Sequence, residues 1–314
     1  MYQGKRIAVV VPAHNEERHI AEVLRTMPEY VDHILVVDDA SADRTSAAAA
    51  EVQDPRVEVL RNTRNLGVGG SVLRGYERAI ELDADIAVKM DGDGQMDPDF
   101  LSELLDPLLG GEVKYTKGNR FLAGEALQAM PTHRLWGNIG LTFFNKLASG
   151  YWNVFDPQNG YTAINVRTLT GLDRSKIHSG YFFENDMLVH LNLLHSRVID
   201  VAIPARYGDE KSDLNPFKVG LSFPFLLLRR FFYRIYQKYV LRDFSPIALF
   251  LGLGGLLFLW GTFLGFYLWI KAIYTAVPSP TGTIMLSLLP LILGFQLLLQ
   301  AIVLDIQETP GRSP

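Results

Sequence analysis

The sequence predicts an α/β fold built on a mostly parallel central sheet. Short apolar segments typical of buried strands alternate with segments of helical periodicity along the amino-terminal part of the chain. Polar clusters follow three of the strand-like segments, and the carboxyl ends of parallel strands meet at one edge of such a sheet. The clusters are His14-Asn15-Glu16, Asp38-Asp39 and Asp91-Gly92-Asp93. This arrangement predicts a single site at that edge.

The individual elements follow from apolar periodicity. The strand-like segments are Ile7 to Val11, Ile34 to Val37, Val57 to Leu60, Ile86 to Met90, Lys114 to Gly118, Tyr161 to Val166 and Val198 to Ile203. The helical segments are Ile20 to Leu24, Ala47 to Val52, Val72 to Leu82, Thr132 to Ala148 and Phe183 to Leu194. One large domain is therefore expected over residues 1–215.

Two long segments near the carboxyl end contain no charged residue, although charged residues make up 20% of the chain. They run from Ser245 to Ile270 and from Ile284 to Leu304. Each has the roughly 20 residues that cross a hydrocarbon core about 30 Å thick. A buried core helix is the less favoured alternative, because core helices seldom stay apolar on all sides over this length. The sequence predicts transmembrane helices at 245–270 and 284–304.

The segment 216–243, which precedes the first predicted span, mixes aromatic, aliphatic and basic residues. Such a composition is typical of helices that lie in the membrane interface. Within it, Leu221 to Tyr239 has aromatic residues interleaved with arginines. We expect Arg229, Arg230 and Arg234 to meet anionic lipid head groups.

The distribution of basic residues predicts the orientation of the chain. Basic residues are dense between Arg229 and Arg242, whereas the connector from Lys271 to Thr283 carries one lysine. This is the positive-inside pattern. No signal peptide is recognisable ahead of Ile7. The large domain and the tail 305–314 are thus expected in the cytosol, and the protein is expected to be integral to the membrane.

Composition excludes several classes of site and partner. The chain has no cysteine, which excludes disulfides and thiolate metal sites. A net charge of -4 provides no general basic surface for nucleic acid, so no nucleic-acid partner is expected. A homo-oligomer could form through contacts between the two predicted transmembrane helices of neighbouring copies.

The segment Asp91-Gly92-Asp93-Gly94-Gln95 is the strongest chemical signal. Two carboxylates separated by a glycine at a strand end can converge on a hard cation, and Mg²⁺ or Mn²⁺ suits such oxygen ligands and is usually shared with substrate phosphates. An EF-hand loop is excluded, because Met96 stands where the turn needs glycine and Ser102 where it needs glutamate. An acidic turn without a ligand stays open as an alternative.

Two other polar segments have both a structural and a ligand-binding interpretation. The glycines of Asn65-Leu66-Gly67-Val68-Gly69-Gly70 could cradle a phosphate, but the segment lacks the remainder of either phosphate-binding fingerprint. Close packing of a helix is at least as good an explanation. Asp38 and Asp39 could cap the next helix, or one of them could face a ribose or base.

Together these motifs resemble the family 2 glycosyltransferases of the GT-A fold. The resemblance includes Val9 to Glu17, Val36 to Thr45, Asn65-Leu66-Gly67 and Asp91 to Gln95. Within that family the chain is most similar to dolichyl-phosphate and polyprenyl-phosphate sugar transferases. That closer similarity is carried by Gly118-Asn119-Arg120, Asp156 to Tyr161 and Arg206-Tyr207-Gly208.

The resemblance implies a role for each matching residue. It assigns Asp91, Asp93 and Gln95 to the metal. It assigns a nucleotide pocket to Pro12, Ala13, Asn15, Glu16, Asp39 and Asp91. It assigns the acceptor phosphate and donor diphosphate to Arg120, Arg134, Arg206 and Lys211. Asp91, Asp93, Arg120, Arg206 and Lys211 would thus form the catalytic set, consistent with the affinity of arginine and lysine for phosphate.

The implied reaction is an inverting, metal-dependent transfer of a sugar from a GDP- or UDP-sugar to a polyprenyl phosphate at the cytosolic membrane face. A phosphate acceptor is largely ionised at neutral pH and needs no strong base. Positioning and charge neutralisation would then supply most of the acceleration. In relatives that glycosylate a hydroxyl a carboxylate acts as base, and Glu184 and Asp186 are the candidates here, although we expect them to orient groups.

Three alternatives compete with this interpretation. A processive polysaccharide synthase of the same fold is disfavoured, because the chain lacks the Gln-x-x-Arg-Trp motif and the additional membrane helices of such enzymes. A transferase that acts on a sugar hydroxyl or a lipid diphosphate shares most of the motifs. A non-catalytic, membrane-anchored nucleotide-binding protein would not need the intact Asp91, Asp93 and Gln95.

Overall fold

The computed structural model describes residues 1–122, 132–204 and 216–311, apart from the side chains of residues 132–138 and 216–221. The chain divides into two compact units, Met1–Phe231 and Phe232–Pro314.

The first unit is built on one seven-stranded sheet. Its strands are β1 (Ile7–Ala13), β2 (His33–Asp38), β3 (Val57–Arg61), β4 (Ile86–Lys89), β5 (Val113–Asn119), β6 (Thr162–Asn165) and β7 (Arg197–Ala202). The spatial order is β3-β2-β1-β4-β6-β5-β7, and every neighbouring pair is parallel except the two that involve β6. The predicted α/β fold with a mostly parallel sheet is confirmed.

Ten α-helices are described. They are α1 (Ile20–Arg25), α2 (Thr45–Ala50), α3 (Val68–Glu81), α4 (Leu101–Leu109), α5 (Thr132–Ser149), α6 (Val166–Thr170), α7 (Phe183–Leu193), α8 (Pro216–Ile235), α9 (Pro246–Thr275) and α10 (Thr281–Gln307). Short 3₁₀ turns cover Pro98–Phe100 and Arg174–Lys176, and a π-helical segment, Tyr236–Arg242, follows α8.

Both faces of the sheet are covered, which explains why β1 is apolar at every position. Val9 and Val11 point into a core closed by α1, α2 and α4, whereas Ala8 and Val10 point into a second core closed by α3, α6 and α7. Successive side chains of a strand alternate between the two faces. A strand buried on both sides therefore reads as a continuous apolar run.

The reversed direction of β6 brings a distant part of the chain to the predicted site. Thr162, at the start of β6, pairs with Lys89, at the end of β4. The segment just before β6 consequently arrives at the carboxyl edge of β1 and β4. It is fixed there by a hydrogen bond from the Gly118 backbone N–H to the Tyr161 carbonyl oxygen, 2.8 Å long.

The second unit contains α9 and α10, which are long and apolar enough to be candidate membrane spans. Glycines let the two helices pack closely: a methyl group on Gly254 would lie 2.9 Å from the Leu297 Cβ, and one on Gly261 would lie 2.6 Å from the Ser287 carbonyl oxygen. Small residues at helix contacts are typical of association in lipid.

A buried ion pair joins the end of α8 to the end of α10. Arg234 is fully buried, and its guanidinium donates to both carboxylate oxygens of Asp305, at 2.7 and 2.9 Å. The Tyr239 hydroxyl also donates to Asp305, at 2.7 Å. The expectation that Arg234 meets lipid head groups is therefore wrong, because the buried carboxylate of Asp305 holds its guanidinium inside the unit.

Candidate active site

Three charged side chains meet at the carboxyl end of β4. Ala87 faces the core beneath α7, so Lys89, two residues further along the strand, points to the same side. Its Nζ lies 2.7 Å from Asp91 Oδ1 and 3.1 Å from Glu184 Oε1 in the first turn of α7. The side chain of Asp91 is 28% exposed and that of Glu184 only 10%. Asp91 thus lies at the mouth of the site and Glu184 deeper.

The Lys89 side chain is buried, with 1% of its surface exposed. Burial opposes a positive charge, but the carboxylates of Asp91 and Glu184 outweigh it and raise the pKa of the ammonium above its usual value. Lys89 is therefore charged at neutral pH. Motif reasoning missed this residue, although a lysine that ends the apolar strand Ile86–Lys89 is a signal that could have indicated it.

Gly160 packs over this cluster. A Cβ atom at position 160 would touch Lys89 Nζ and lie 2.8 Å from Asp91 Oδ2 and 3.1 Å from the Met96 methyl carbon. The close approach of backbone to a charged cluster requires glycine here. The Asp156 to Tyr161 segment is thus in direct contact with Asp91 and Met96.

Asp93 and Gln95 lie in the turn that follows Asp91, and both are partly exposed. Asp93 Oδ1 accepts a 2.9 Å hydrogen bond from the Gln95 backbone N–H, which orders the turn. Two carboxylates and an amide oxygen fit Mg²⁺ or Mn²⁺, which usually takes its other ligands from water and substrate phosphates. In the described part of the chain no group of three or more His, Asp or Glu side chains could hold a metal ion.

The residues assigned to the nucleotide pocket surround the carboxyl end of β1. Pro12 and Ala13 are buried at the end of the strand, and Asn15 has a left-handed backbone conformation with φ 59°. The Asn15 Oδ1 accepts from the Ala42 N–H at 2.9 Å, and the Glu16 N–H donates to Thr45 Oγ1 at 2.8 Å. These bonds attach the loop after β1 to the loop after β2.

Asp39 is 4% exposed, and its carboxylate is occupied by the neighbouring loop. Oδ1 accepts from Asn62 Nδ2 and from the Leu66 N–H, both at 2.7 Å, and Oδ2 accepts from the Gly67 N–H at 2.8 Å. A carboxylate has about four acceptor positions. Three of these positions are therefore taken by the protein itself.

The glycines after Asn65 serve close packing. A Cβ on Gly67 would lie 2.7 Å from the Ser179 carbonyl oxygen, and one on Gly69 would lie 2.7 Å from the Phe183 Cβ. The Gly70 N–H donates to the same Ser179 carbonyl at 2.8 Å. Of the two interpretations of this segment, the structure supports the packing of α3 against the turn before α7.

Arg120 is held by Asp156. Its Nε and Nη2 donate to the two carboxylate oxygens at 2.8 and 3.0 Å, and the Arg120 side chain is still 41% exposed. A small cavity beside this pair is lined by Arg120, Phe121, Leu141, Thr142, Asp156, Pro157 and Gln158. The guanidinium is thus pre-oriented while part of it faces solvent.

Asp186 has a structural role. It is fully buried and accepts from the His178 N–H at 2.7 Å and from Arg230 Nη2 at 2.6 Å. Arg230 also donates to the Lys176 carbonyl oxygen at 2.9 Å. The expected contact of Arg230 with lipid head groups is therefore wrong, because the buried carboxylate holds that guanidinium against α7. Arg229 remains exposed.

The other predicted phosphate ligands are not part of the described site. Arg206 and Lys211 lie outside the described residues, and Arg134 is on α5 at a position whose side chain is not described. The structure therefore places Asp91, Asp93 and Gln95 after β4 and Arg120 after β5, and both strands end at the same edge of the sheet.

Comparison with solved structures supports the fold. The chain is similar to glucosyl-3-phosphoglycerate synthase from Mycobacterium tuberculosis in complex with UDP, with a TM-score of 0.57 and 21% identity over 74% of this chain and 80% of that one. The same enzyme with Mn²⁺, UDP-glucose and glycerol 3-phosphate has a TM-score of 0.52 at 22% identity, again over 74% and 80%. The predicted GT-A fold is confirmed.

Sequence comparison supports the resemblance to lipid-phosphate sugar transferases. The chain is 33% identical over 180 residues to the UDP-N-acetylglucosamine–dolichyl-phosphate N-acetylglucosaminyltransferase of Methanococcus voltae, covering 52% of this chain and 71% of the relative. It is 31% identical over 203 residues to the undecaprenyl-phosphate mannosyltransferase of Micrococcus luteus, covering 63% and 82%.

The family assignment rests on more than half of the chain. The sequence profile described as "Glycosyl transferase family 2" matches residues 8–170. That range includes β1 from Ala8 onward, β2 to β6 and the Asp91, Asp93 and Gln95 motif. The chain is a glycosyltransferase and belongs to glycosyl transferase family 2.

Proposed function

We propose that this protein transfers a sugar from a UDP- or GDP-sugar to a polyprenyl phosphate at the cytosolic face of a membrane, with inversion at the anomeric carbon. The observation that carries the proposal is the pairing of both candidate bases with cations: Glu184 contacts Lys89 and Asp186 contacts Arg230. An acceptor that arrives already ionised needs no base. The names of the relatives in Methanococcus and Micrococcus support such an acceptor.

The donor would bind across the ends of β1, β2 and β4. Pro12, Ala13, Asn15 and Glu16 would line the nucleoside, and the remaining acceptor position of Asp39 would meet its ribose or base. The divalent cation would be held by Asp91, Asp93 and Gln95, and it would neutralise the diphosphate as that group leaves. The complex of the structurally similar synthase with Mn²⁺ and UDP-glucose supports the presence of a divalent cation together with the donor.

The acceptor phosphate would bind on the side of β5. Arg120 is oriented by Asp156 and keeps an exposed face, so it can donate to phosphate oxygens without reorganising. Arg134, Arg206 and Lys211 would add positive charge, as the resemblance implies. An ionised phosphate held next to the anomeric carbon attacks it directly, and the donor diphosphate leaves from the opposite face. Positioning supplies most of the acceleration.

The acceptor is tested by offering a polyprenyl phosphate and the matching free alcohol in detergent micelles with a labelled nucleotide sugar. We expect transfer to the phosphate only, because the alcohol would need a base that neither Glu184 nor Asp186 is free to provide. Arg206→Ala should raise the apparent KM for polyprenyl phosphate or lower the rate while leaving nucleotide affinity nearly unchanged.

The matched control for Arg206→Ala is Arg44→Ala, which removes an exposed arginine whose guanidinium pairs with Glu51 on the surface. It should transfer at the wild-type rate. Glycosylation of the alcohol would instead favour a hydroxyl transferase, and wild-type kinetics of Arg206→Ala would exclude that residue from the acceptor site.

The proposed membrane topology has a direct test. Two spans, α9 and α10, return the chain to the side from which it entered, so a reporter fused after Pro314 should be cytosolic, together with the catalytic domain. The matched fusion carries the reporter in the connector at Pro278 and should read as external. If both fusions report the same side, at least one of the two helices does not cross.

A further inference from the structure

Lys89 is a buried cation that the proposed reaction does not use as a chemical group. Moving an ammonium out of water is costly unless it is paired, and here two carboxylates from different elements pair with it, at 2.7 Å for Asp91 and 3.1 Å for Glu184. One side chain thereby connects the metal motif after β4 to the first turn of α7. The buried position of Lys89 between these two carboxylates therefore calls for an explanation.

The contacts around Asp91 restrict the orientation of its carboxylate. The ammonium of Lys89 takes Oδ1, while the backbone of Gly160 lies against the pair so closely that a methyl group there would be 2.8 Å from Oδ2. The carboxylate cannot rotate freely between these two neighbours. Its side chain is nevertheless 28% exposed, so an oxygen is available toward the site.

We propose that Lys89 is a positioning residue for sugar transfer: its ammonium holds Asp91 in the orientation that binds the donor's divalent cation. This inference rests on the proposed function, because it assumes a metal-bound donor at Asp91. The inference adds Lys89 to the site, because this residue lies outside the Asp91 to Gln95 motif.

A positioning role and a charge-balancing role have opposite consequences. A lysine that only balanced charge would repel the cation, so its removal would strengthen metal binding. A lysine that orients Asp91 is needed for tight metal binding, so its removal would weaken it. The sign of the effect therefore distinguishes the two roles.

The experiment measures binding of UDP and GDP to the full chain in detergent by calorimetry, in Mn²⁺ and in EDTA. For Lys89→Met, which keeps the length of the side chain, we expect the gain in nucleotide affinity caused by Mn²⁺ to fall at least about tenfold. Affinity in EDTA should stay within about threefold of wild type, and kcat at saturating donor and metal should fall about tenfold or more. An undiminished or larger gain would overturn the proposal.

The double variant Lys89→Met/Glu184→Gln separates positioning from stability. Without the ammonium, Asp91 and Glu184 face each other as like charges, and neutralising Glu184 removes that repulsion. We expect the unfolding midpoint in EDTA to recover while the Mn²⁺-dependent gain stays low. Recovery of both would mean that Lys89 only offsets Glu184, and the proposal would be wrong. If Lys89→Met does not fold, this charge-balanced variant carries the test.

Lys238→Met is the matched control for losing a buried lysine. Lys238 is 4% exposed and belongs to the second unit, where its Nζ donates to the Glu308 carbonyl oxygen at 3.2 Å. We expect a change in stability but a Mn²⁺-dependent gain within about threefold of wild type. An equal loss in Lys238→Met would contradict a specific role for Lys89.

Failure of this inference can be told apart from failure of the proposed function. If the wild type binds neither nucleotide and transfers no sugar to polyprenyl phosphate, the proposed function is wrong. If the wild type does both and Lys89→Met matches it, only the role of Lys89 is wrong.

Discussion

Asp91→Asn should lower sugar transfer at least about a hundredfold, which corresponds to about 2.7 kcal/mol of transition-state stabilisation. Asparagine keeps the shape of the side chain but removes the negative charge that the divalent cation needs. It also removes the closest carboxylate from Lys89, 2.7 Å away, and so leaves a buried ammonium paired with Glu184 alone. Asp93→Asn should show a loss of similar size, because asparagine keeps the oxygen that accepts from the Gln95 N–H but loses the charge that the cation needs.

The measurement is initial-rate transfer at saturating donor over a range of Mn²⁺ concentrations, with an EDTA series on the wild type. Asp99→Asn is the control, because this carboxylate is exposed in the 3₁₀ turn Pro98–Phe100 that follows the motif; its rate should stay close to wild type. Chelation should abolish wild-type transfer. Full activity of Asp91→Asn or Asp93→Asn, or of the wild type in excess EDTA, would contradict the proposed metal dependence.

Asp39→Ala should lower the free energy of unfolding by about 2 kcal/mol even when no nucleotide is present, because a donor left unpaired costs roughly 1 to 3 kcal/mol. The substitution leaves the part-buried Leu66 N–H without its acceptor, whereas the Gly67 N–H keeps its hydrogen bond to Asn65 Oδ1. Asp39→Asn should cause a smaller loss of unfolding free energy than Asp39→Ala. The asparagine amide oxygen can replace one carboxylate oxygen as acceptor, but its NH₂ group then faces an N–H donor.

The unfolding midpoint of the full chain in detergent measures this effect, and nucleotide affinity is measured separately at a temperature where each variant is folded. Asp173→Asn, an exposed carboxylate paired with Lys176, should not shift the midpoint. A ligand-only role for Asp39 would give the opposite result, with unchanged midpoints and a loss of nucleotide binding.

Much of the fold was predictable because its signals are local. The apolar strands that precede Pro12, Asp38 and Asp91 are continuous runs, which a parallel sheet covered on both faces requires. Their polar ends were expected at one edge, and the structure places them there. The direction of β6 was not predictable, because an antiparallel insertion depends on pairing with β4 and β5 and leaves no mark in the strand's own four residues.

Charged residues were predicted less well than apolar ones. Arg230 and Arg234 read as lipid-facing in an aromatic, basic helix, yet each has a buried carboxylate partner distant in sequence, Asp186 and Asp305. Helical periodicity identifies the face that a residue occupies, but it does not show whether another element supplies a counter-charge. Only the packing of α7 and α10 decides that.

By itself, the sequence determined the family and the sheet edge at which the polar segments meet, and it predicts Asp91, Asp93 and Gln95 as oxygen ligands, because these features depend on contiguous motifs. Only the tertiary structure decided which partners the buried charged side chains have. It placed Lys89 between Asp91 and Glu184, and it committed most of the Asp39 carboxylate to the loop before α3. The physical reason is that a buried charge is stable only beside its partners, and those partners come from segments that the fold alone brings together.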